Sequence, residues 1–270
     1  KNLETELGAP IFERTTRGVM LTAFGRDVYH QAQDICQRFA YLQNAPKTSK
    51  AEHLSVSSMY CSLANDAFVE MFTRHYDDEF TCNLEECMLF DVIRKVSTGL
   101  TEIGVVTIFS DGEALALRKL EDAGLEFNLI LRRPLHAIIG PQNPLYHEER
   151  ESVTLEELRE FPCVINYAFP GDFSGERIWE GGARRNAEVL VSDLGSALQI
   201  VSRTGAVAID TYDAETYRTF YAANDCKYLA LKDAPIDCKL GWVMPKNHTL
   251  SQACGEFLEI LREKAELTAR

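Results

Sequence analysis

Strand-like and helix-like periods alternate through residues 53–266, and no other feature of the sequence narrows the possible folds as much. Residues 53–57 read as a strand, and 62–75 as a helix with Ala64, Ala67, Phe68, Met71 and Phe72 on one face. Strand-like segments follow at 80–87, 102–108, 125–131 and 135–140, with a helix at 91–97 stopped by Gly99. Thr154 and Glu157 have capping-box spacing and open a short helix before the strand CVINY at 163–167. A strand at 188–191 runs into a helix from Asp193, where Leu194, Ala197, Leu198 and Val201 share a face. GAVAID (205–210) reads as a buried strand and 214–222 as a helix. YLAL (228–231) and CKLGWVMP (238–245) are the last strands, and 251–266 is a closing amphipathic helix. This alternation predicts largely parallel sheets covered by helices on both faces. The strands are too many for one small sheet, and GPQNP at 140–144 looks like a crossing point. Two α/β lobes are expected.

The first fifty residues follow a different pattern. Leu3 and Leu7 lie one helical turn apart and Gly8 stops the helix. Two short apolar runs, at 10–12 and 19–21, flank a polar turn ending in Gly18, which is a hairpin signal. Thr22 is a suitable N-cap for a long helix over 23–44. Phe24, Val28, Ala32, Ile35, Phe39 and Leu42 recur on that helix at spacings of three and four. A heptad-like stripe with little else to pack on predicts pairing with a second copy. NAPKTSKAEH (44–53) then reads as a linker.

Charge separates the two regions. The chain carries a net charge of −13, yet Arg14 to Arg26 contains three arginines and no acid. Phosphate would be repelled by the acidic body, so non-specific nucleic-acid binding is expected of no more than a small separate element. No stretch approaches the roughly 18 apolar residues of a membrane span, and no partnership with a membrane is expected. The eight cysteines form no C-x-x-C pair, and the six histidines are scattered, so no metal site and no cofactor are expected. The cysteines read as reduced thiols of a cytoplasmic protein, acting as small hydrophobes.

The phrase LETELGAPIFERTTRGVMLTAFG (3–25) closely resembles the end of the winged helix-turn-helix of LysR-type transcriptional regulators. The match rests on Leu3, Glu4, Glu6, Leu7, Gly8, Phe12, Arg14, Arg17, Gly18, Leu21, Thr22 and Gly25. The resemblance extends along the chain: 23–44 is similar to the family's linker helix, and 52–268 to its effector-binding region. EIGVVT (102–107) stands where the family usually has a D-L-A-L phrase. VSDLGSALQIVSRTGAVAI (191–209) departs from the family pattern at Arg203, which replaces a glycine. The resemblance implies two Rossmann-like lobes resembling type 2 periplasmic binding proteins, preceded by the linker helix and the tail of the winged domain. It divides the chain into 1–22 (DNA-binding), 23–50 (dimerisation helix and hinge), 51–138 plus 237–270 (lobe I) and 139–236 (lobe II).

It also implies partners and roles. Promoter DNA would be held by the complete winged domain, with Arg14, Thr16 and Arg17 on the wing. Phe24, Val28, Ile35, Phe39 and Leu42 would join subunits into a homodimer or homotetramer, and RNA polymerase would be a further partner. The chain begins inside the recognition helix of that pattern, so this segment is expected to dimerise and bind effector yet hold DNA poorly. A small-molecule effector would sit at the carboxyl ends of strands, where helix N-termini begin. That places Ser58, Met59, Tyr60, Cys61, Thr107 and Ile108 on one side of a cleft, and Tyr167, Phe169, Ser192 and Asp193 on the other. Hydroxyls beside aromatic and aliphatic groups suit an organic acid with an apolar portion. Three rival functions stand beside this one. A transporter's solute-binding protein has no use for residues 1–44. An enzyme would need a motif such as G-x-S-x-G or G-x-G-x-x-G, and none occurs. A redox-sensing regulator would switch through a disulfide such as Cys226 with Cys238.

Overall fold

A computed structural model describes residues 2–16, 18–44, 52–166, 188–191, 193–211, 224–234 and 237–268. The chain divides into two compact units, 1–51 and 52–270.

In the first unit, helix α1 (Asn2–Leu7) leads into an antiparallel hairpin, β1 (Phe12–Thr15) and β2 (Gly18–Leu21), and then into the long helix α2 (Ala23–Asn44). Gly8 makes the turn out of α1 at φ 73°, a left-handed conformation that favours glycine. Oε1 of Glu4 accepts from the N–H groups of Ile11 and Phe12 at 2.9 and 3.2 Å, tying α1 to the hairpin. The Thr22 hydroxyl donates to the Pro10 carbonyl at 2.7 Å and accepts from the N–H of Gly25 at 2.8 Å, so it caps α2 as its position predicts.

The second unit contains two sheets. The first is built from β3 (Glu52–Ser58), β4 (Phe80–Glu86), β5 (Ile103–Phe109), β6 (Leu125–Arg133) and β13 (Cys238–Pro245), in the order β4-β3-β5-β13-β6. Helices α3 (Ser62–Arg74), α4 (Leu89–Ser97) and α5 (Glu113–Asp122) connect the early strands, and α8 (Gln252–Thr268) closes the chain. Strand alternation serves two cores. Ile103 and Val105 of β5 pack with Met71 of α3 and Phe257 and Leu261 of α8. Val106 and Ile108 pack on the opposite face with Val92, Val96 and Leu120 from α4 and α5.

The second sheet has the order β10-β9-β11-β7-β12-β8. Its strands are β7 (Leu135–Ile139), β8 (Ser152–Val153), β9 (Cys163–Asn166), β10 (Glu188–Val191), β11 (Val207–Thr211) and β12 (Lys227–Leu231). Helix α6 (Leu155–Leu158) carries the expected capping box with both halves formed, and α7 (Leu194–Arg203) covers one face. The helix expected at 214–222 lies outside the described residues.

Two differences from the sequence reading share one cause. β7 belongs to the second sheet, so the chain crosses at Pro134 and not at 140–144. Each sheet also holds one reversed strand: β13 is antiparallel to β5 and β6, and β7 is antiparallel to β11 and β12. These are the strands that follow a crossing. A chain arriving from the other sheet enters at the edge where the remaining strands end, and must run away from it. The same geometry brings the carboxyl ends of both sets of strands to the crossing edge.

Candidate functional site

At this edge, β3 ends in Ser58 and β4 in Glu86, which are paired across the parallel ladder. The Ser57 hydroxyl is 3.0 Å from that of Thr101, and the Ser58 hydroxyl donates to the carbonyl of Met59, so both are occupied locally. Met59 and Ile108 are each 2% exposed and belong to the core under α4. Cys61 lies in the opposite core and is the N-cap of α3, to which it gives no side-chain cap. Thr107 is half-buried in β5 opposite Leu240, and Tyr60 is half-buried on the loop before α3. The six residues expected on this side therefore divide. Ser58, 2% exposed, ends the strand, Tyr60 lies in the loop and Thr107 is half-buried within β5, while Met59, Cys61 and Ile108 are built into the cores beneath.

On the second sheet, Asp193 is the N-cap of α7, and its Oδ1 accepts from the N–H of Ser196 at 2.8 Å. Bonds from the backbone and side chain of Ser196 hold its carboxyl below the ordinary aspartate value. Tyr167, Phe169 and Ser192 lie outside the described residues.

Glu86 is absent from the sequence-derived set. Burial, and then the charge of Asp193, push its carboxyl above the ordinary glutamate range. One of these acids ends a strand of the first sheet and the other caps a helix on the second. The charge of Asp193 on the second sheet thus adds to burial at Glu86 on the first. The strand containing Glu86 was legible in the sequence. Its parallel pairing with β3, which puts Glu86 beside Ser58, was the missing step.

The crossing segments are themselves tied together. Arg132 pairs with Asp237 at 3.3 Å, Ser110 N–H donates to the Asp237 carbonyl at 2.9 Å, and Asp237 N–H donates to the Ser110 hydroxyl at 3.1 Å. Arg133 is 8% exposed, and its charge acts on Cys238 against the acids Asp210 and Asp237. Burial pushes the thiol of Cys238 up to about 12 and that of Cys226 to about 11. Such thiols stay protonated near neutral pH, which disfavours oxidation because the thiolate is the reactive form. Among the described residues, no group of three His, Cys, Asp or Glu side chains is placed to hold a metal ion. No described helix is long and apolar enough to cross a membrane.

The first unit carries its own candidates. Arg14 pairs with Val19 in the hairpin and is exposed, Thr16 is exposed in the turn, and Arg17 lies outside the described residues. On α2, Ile35 and Phe39 are 68% and 60% exposed, Phe24 is at the margin of exposure and Val28 is half-buried. The side chain of Leu42 is outside the described set.

Residues 82–266 match the family model described as the LysR substrate binding domain. The chain is 24% identical over 265 residues to the HTH-type transcriptional regulator YnfL of Escherichia coli (strain K12), covering 94% of this chain and 84% of that one. Full-length CbnR complexed with its target DNA shares the fold at 18% identity and a TM-score of 0.56, covering 98% of this chain and 87% of that one. The effector-binding domain of QuiR in complex with shikimate does so at 13% identity and a TM-score of 0.57, covering 80% and 97%.

Proposed function

From a chain that belongs to the family of LysR-type transcriptional regulators, we propose a regulator whose effector is an organic acid with an apolar portion, bound at the crossing edge. Members of the family bind promoter DNA and small-molecule effectors, and act as oligomers. The observation that carries the proposal is that the carboxyl ends of the strands of both sheets gather at the crossing edge, where the charge of Asp193 also bears on Glu86. A ligand seated there touches both lobes, and its binding free energy can bias the angle between them.

In this reading the lobes are 52–133 with 237–268, and 135–234, each side of Pro134. Residues 1–22 belong to the DNA-binding domain, with Arg14, Thr16 and Arg17 on its wing, and 23–50 form the pairing helix and hinge. The effector carboxylate faces the start of α3, where no side chain caps the helix and backbone N–H groups favour an anion. Tyr60 is assigned to the apolar portion together with Tyr167 and Phe169, and Thr107 and Ser192 to hydroxyl contacts, with the buried Ser58, Met59, Cys61 and Ile108 beneath. Glu86 and Asp193 accept hydrogen bonds from the far end of the ligand and repel a second negative charge. The bound shikimate of QuiR is in keeping with this class of ligand.

A thermal-shift screen of carboxylic acids against amines of matched size tests the proposal. Acids should raise the melting temperature, since a ligand at 100 times its Kd stabilises the folded state by about 2.7 kcal/mol. Glu86→Gln should strengthen the response to acids. Stabilisation by amines alone, weakened in Glu86→Gln, would reverse the assigned polarity.

A further inference from the structure

Far from the crossing edge, the last turn of α3 meets α8 through one imidazole. His75 closes α3, its N–H donating to the Met71 carbonyl at 3.3 Å. Its Nδ1 lies 2.9 Å from Oδ2 of Asp78, and its Nε2 lies 3.1 Å from Oε2 of Glu256 on α8. The ring stacks on Phe80 at the start of β4, with centroids 4.7 Å apart and 23° between the planes. Both polar neighbours are carboxylates, which accept and do not donate when ionised. A neutral imidazole has one N–H and can serve one of them; its other nitrogen then presents a lone pair to the second carboxylate. The doubly protonated ring donates to both.

We propose that His75 is a proton-operated clasp between α3 and α8, closed when the ring is charged and released on one side when it is neutral. The inference stands apart from the effector reading, since it uses no residue of the crossing edge. The bond to Glu256, and then the bond to Asp78, raise the pKa of His75 above the ordinary histidine value, while desolvation opposes them. Phe80 adds a ring face beneath the charge. The other charges near this contact are Arg74, which reaches Glu256 at 3.4 Å and Glu70 at 2.6 Å, and Lys264 of α8, which reaches Glu70 at 2.9 Å. The pairs of Arg74 with Glu70 and Glu256 and of Lys264 with Glu70 do not pass through His75, so α3 stays docked when His75 loses its proton, and the release is local. Histidine is the residue type among these whose charge ordinarily changes near neutral pH.

The sign follows from the raised value. The clasp's stabilisation is fully present below the unfolded-state pKa near 6.5 and is lost as pH rises through the folded-state midpoint. His53 of β3 is a built-in contrast, because burial pushes its pKa down.

Proton NMR of the histidine rings, assigned with His75→Gln, should give His75 a midpoint above 6.5 and His53 one below it. Glu256→Gln should move the His75 midpoint downward. Hydrogen exchange at the end of α3, corrected for intrinsic rates, should lose protection between pH 6 and 8.5 by about tenfold per unit of midpoint shift. That loss should vanish in His75→Gln. A His75 midpoint at or below 6.5, a midpoint unmoved by Glu256→Gln, or pH-dependent protection that persists in His75→Gln would each overturn the clasp.

Discussion

A methyl group added at position 25 would lie 1.9 Å from the carbonyl oxygen of Ile11, a backbone atom with no room to withdraw. Gly25 is therefore a packing requirement where α2 leaves the hairpin. Gly25→Ala should destabilise the first unit by about 1–3 kcal/mol, the usual cost of overpacking, read as a loss of exchange protection in β1 and β2. Thr22→Ala removes the cap of α2 and should cost about 1 kcal/mol by the same measurement. Glu4 follows a pH rule. Its bonds to Phe12 and Ile11 depress its pKa, so its contribution is present above the unfolded-state value near 4.5 and is lost as pH falls through the lower folded-state value. The amide shifts of Ile11 and Phe12 should move together over that interval, and stay flat in Glu4→Gln. At this scale the sequence was highly legible. Gly8 and Thr22 could be singled out because each satisfies a local backbone demand, whereas Glu4 and Gly25 stood out only as letters of the family phrase and met Ile11 and Phe12 only in the structure.

Among the elements, α2 leaves Ile35 and Phe39 more than half exposed, large side chains that a second copy would cover. The proposed pairing through α2 predicts that Ile35→Glu together with Phe39→Glu gives a monomer in light scattering, and a mass unchanged from the parent chain would refute that role of α2. Most strands and helices of the second unit were legible for the same reason as this stripe, periods of two and 3.6 being written in consecutive residues, while α5 and β8 were not read. Strand direction was not. β7 and β13 read as ordinary buried strands, and their reversal follows from which sheet the chain had just left.

For the molecule as a whole, the charge of Asp193 adds to burial in raising the pKa of Glu86, and the proposed site predicts that these like charges oppose closure of the lobes. Glu86→Gln should let the second unit close, lowering its radius of gyration in small-angle scattering at neutral pH. The wild-type chain should approach the same value as pH falls through the raised pKa of Glu86. An identical radius in both proteins across that range would refute the repulsion. By itself, the amino-acid sequence determined most of the succession of elements, α5 and β8 excepted, with the cap of α2, the wing phrase and the apolar stripe, because each depends on residues a few positions apart. The tertiary structure alone decided that the chain crosses at Pro134, that one strand in each sheet runs backward, and that His75 meets Glu256. That contact joins residues 181 positions apart in the chain, and no local period encodes such a pairing.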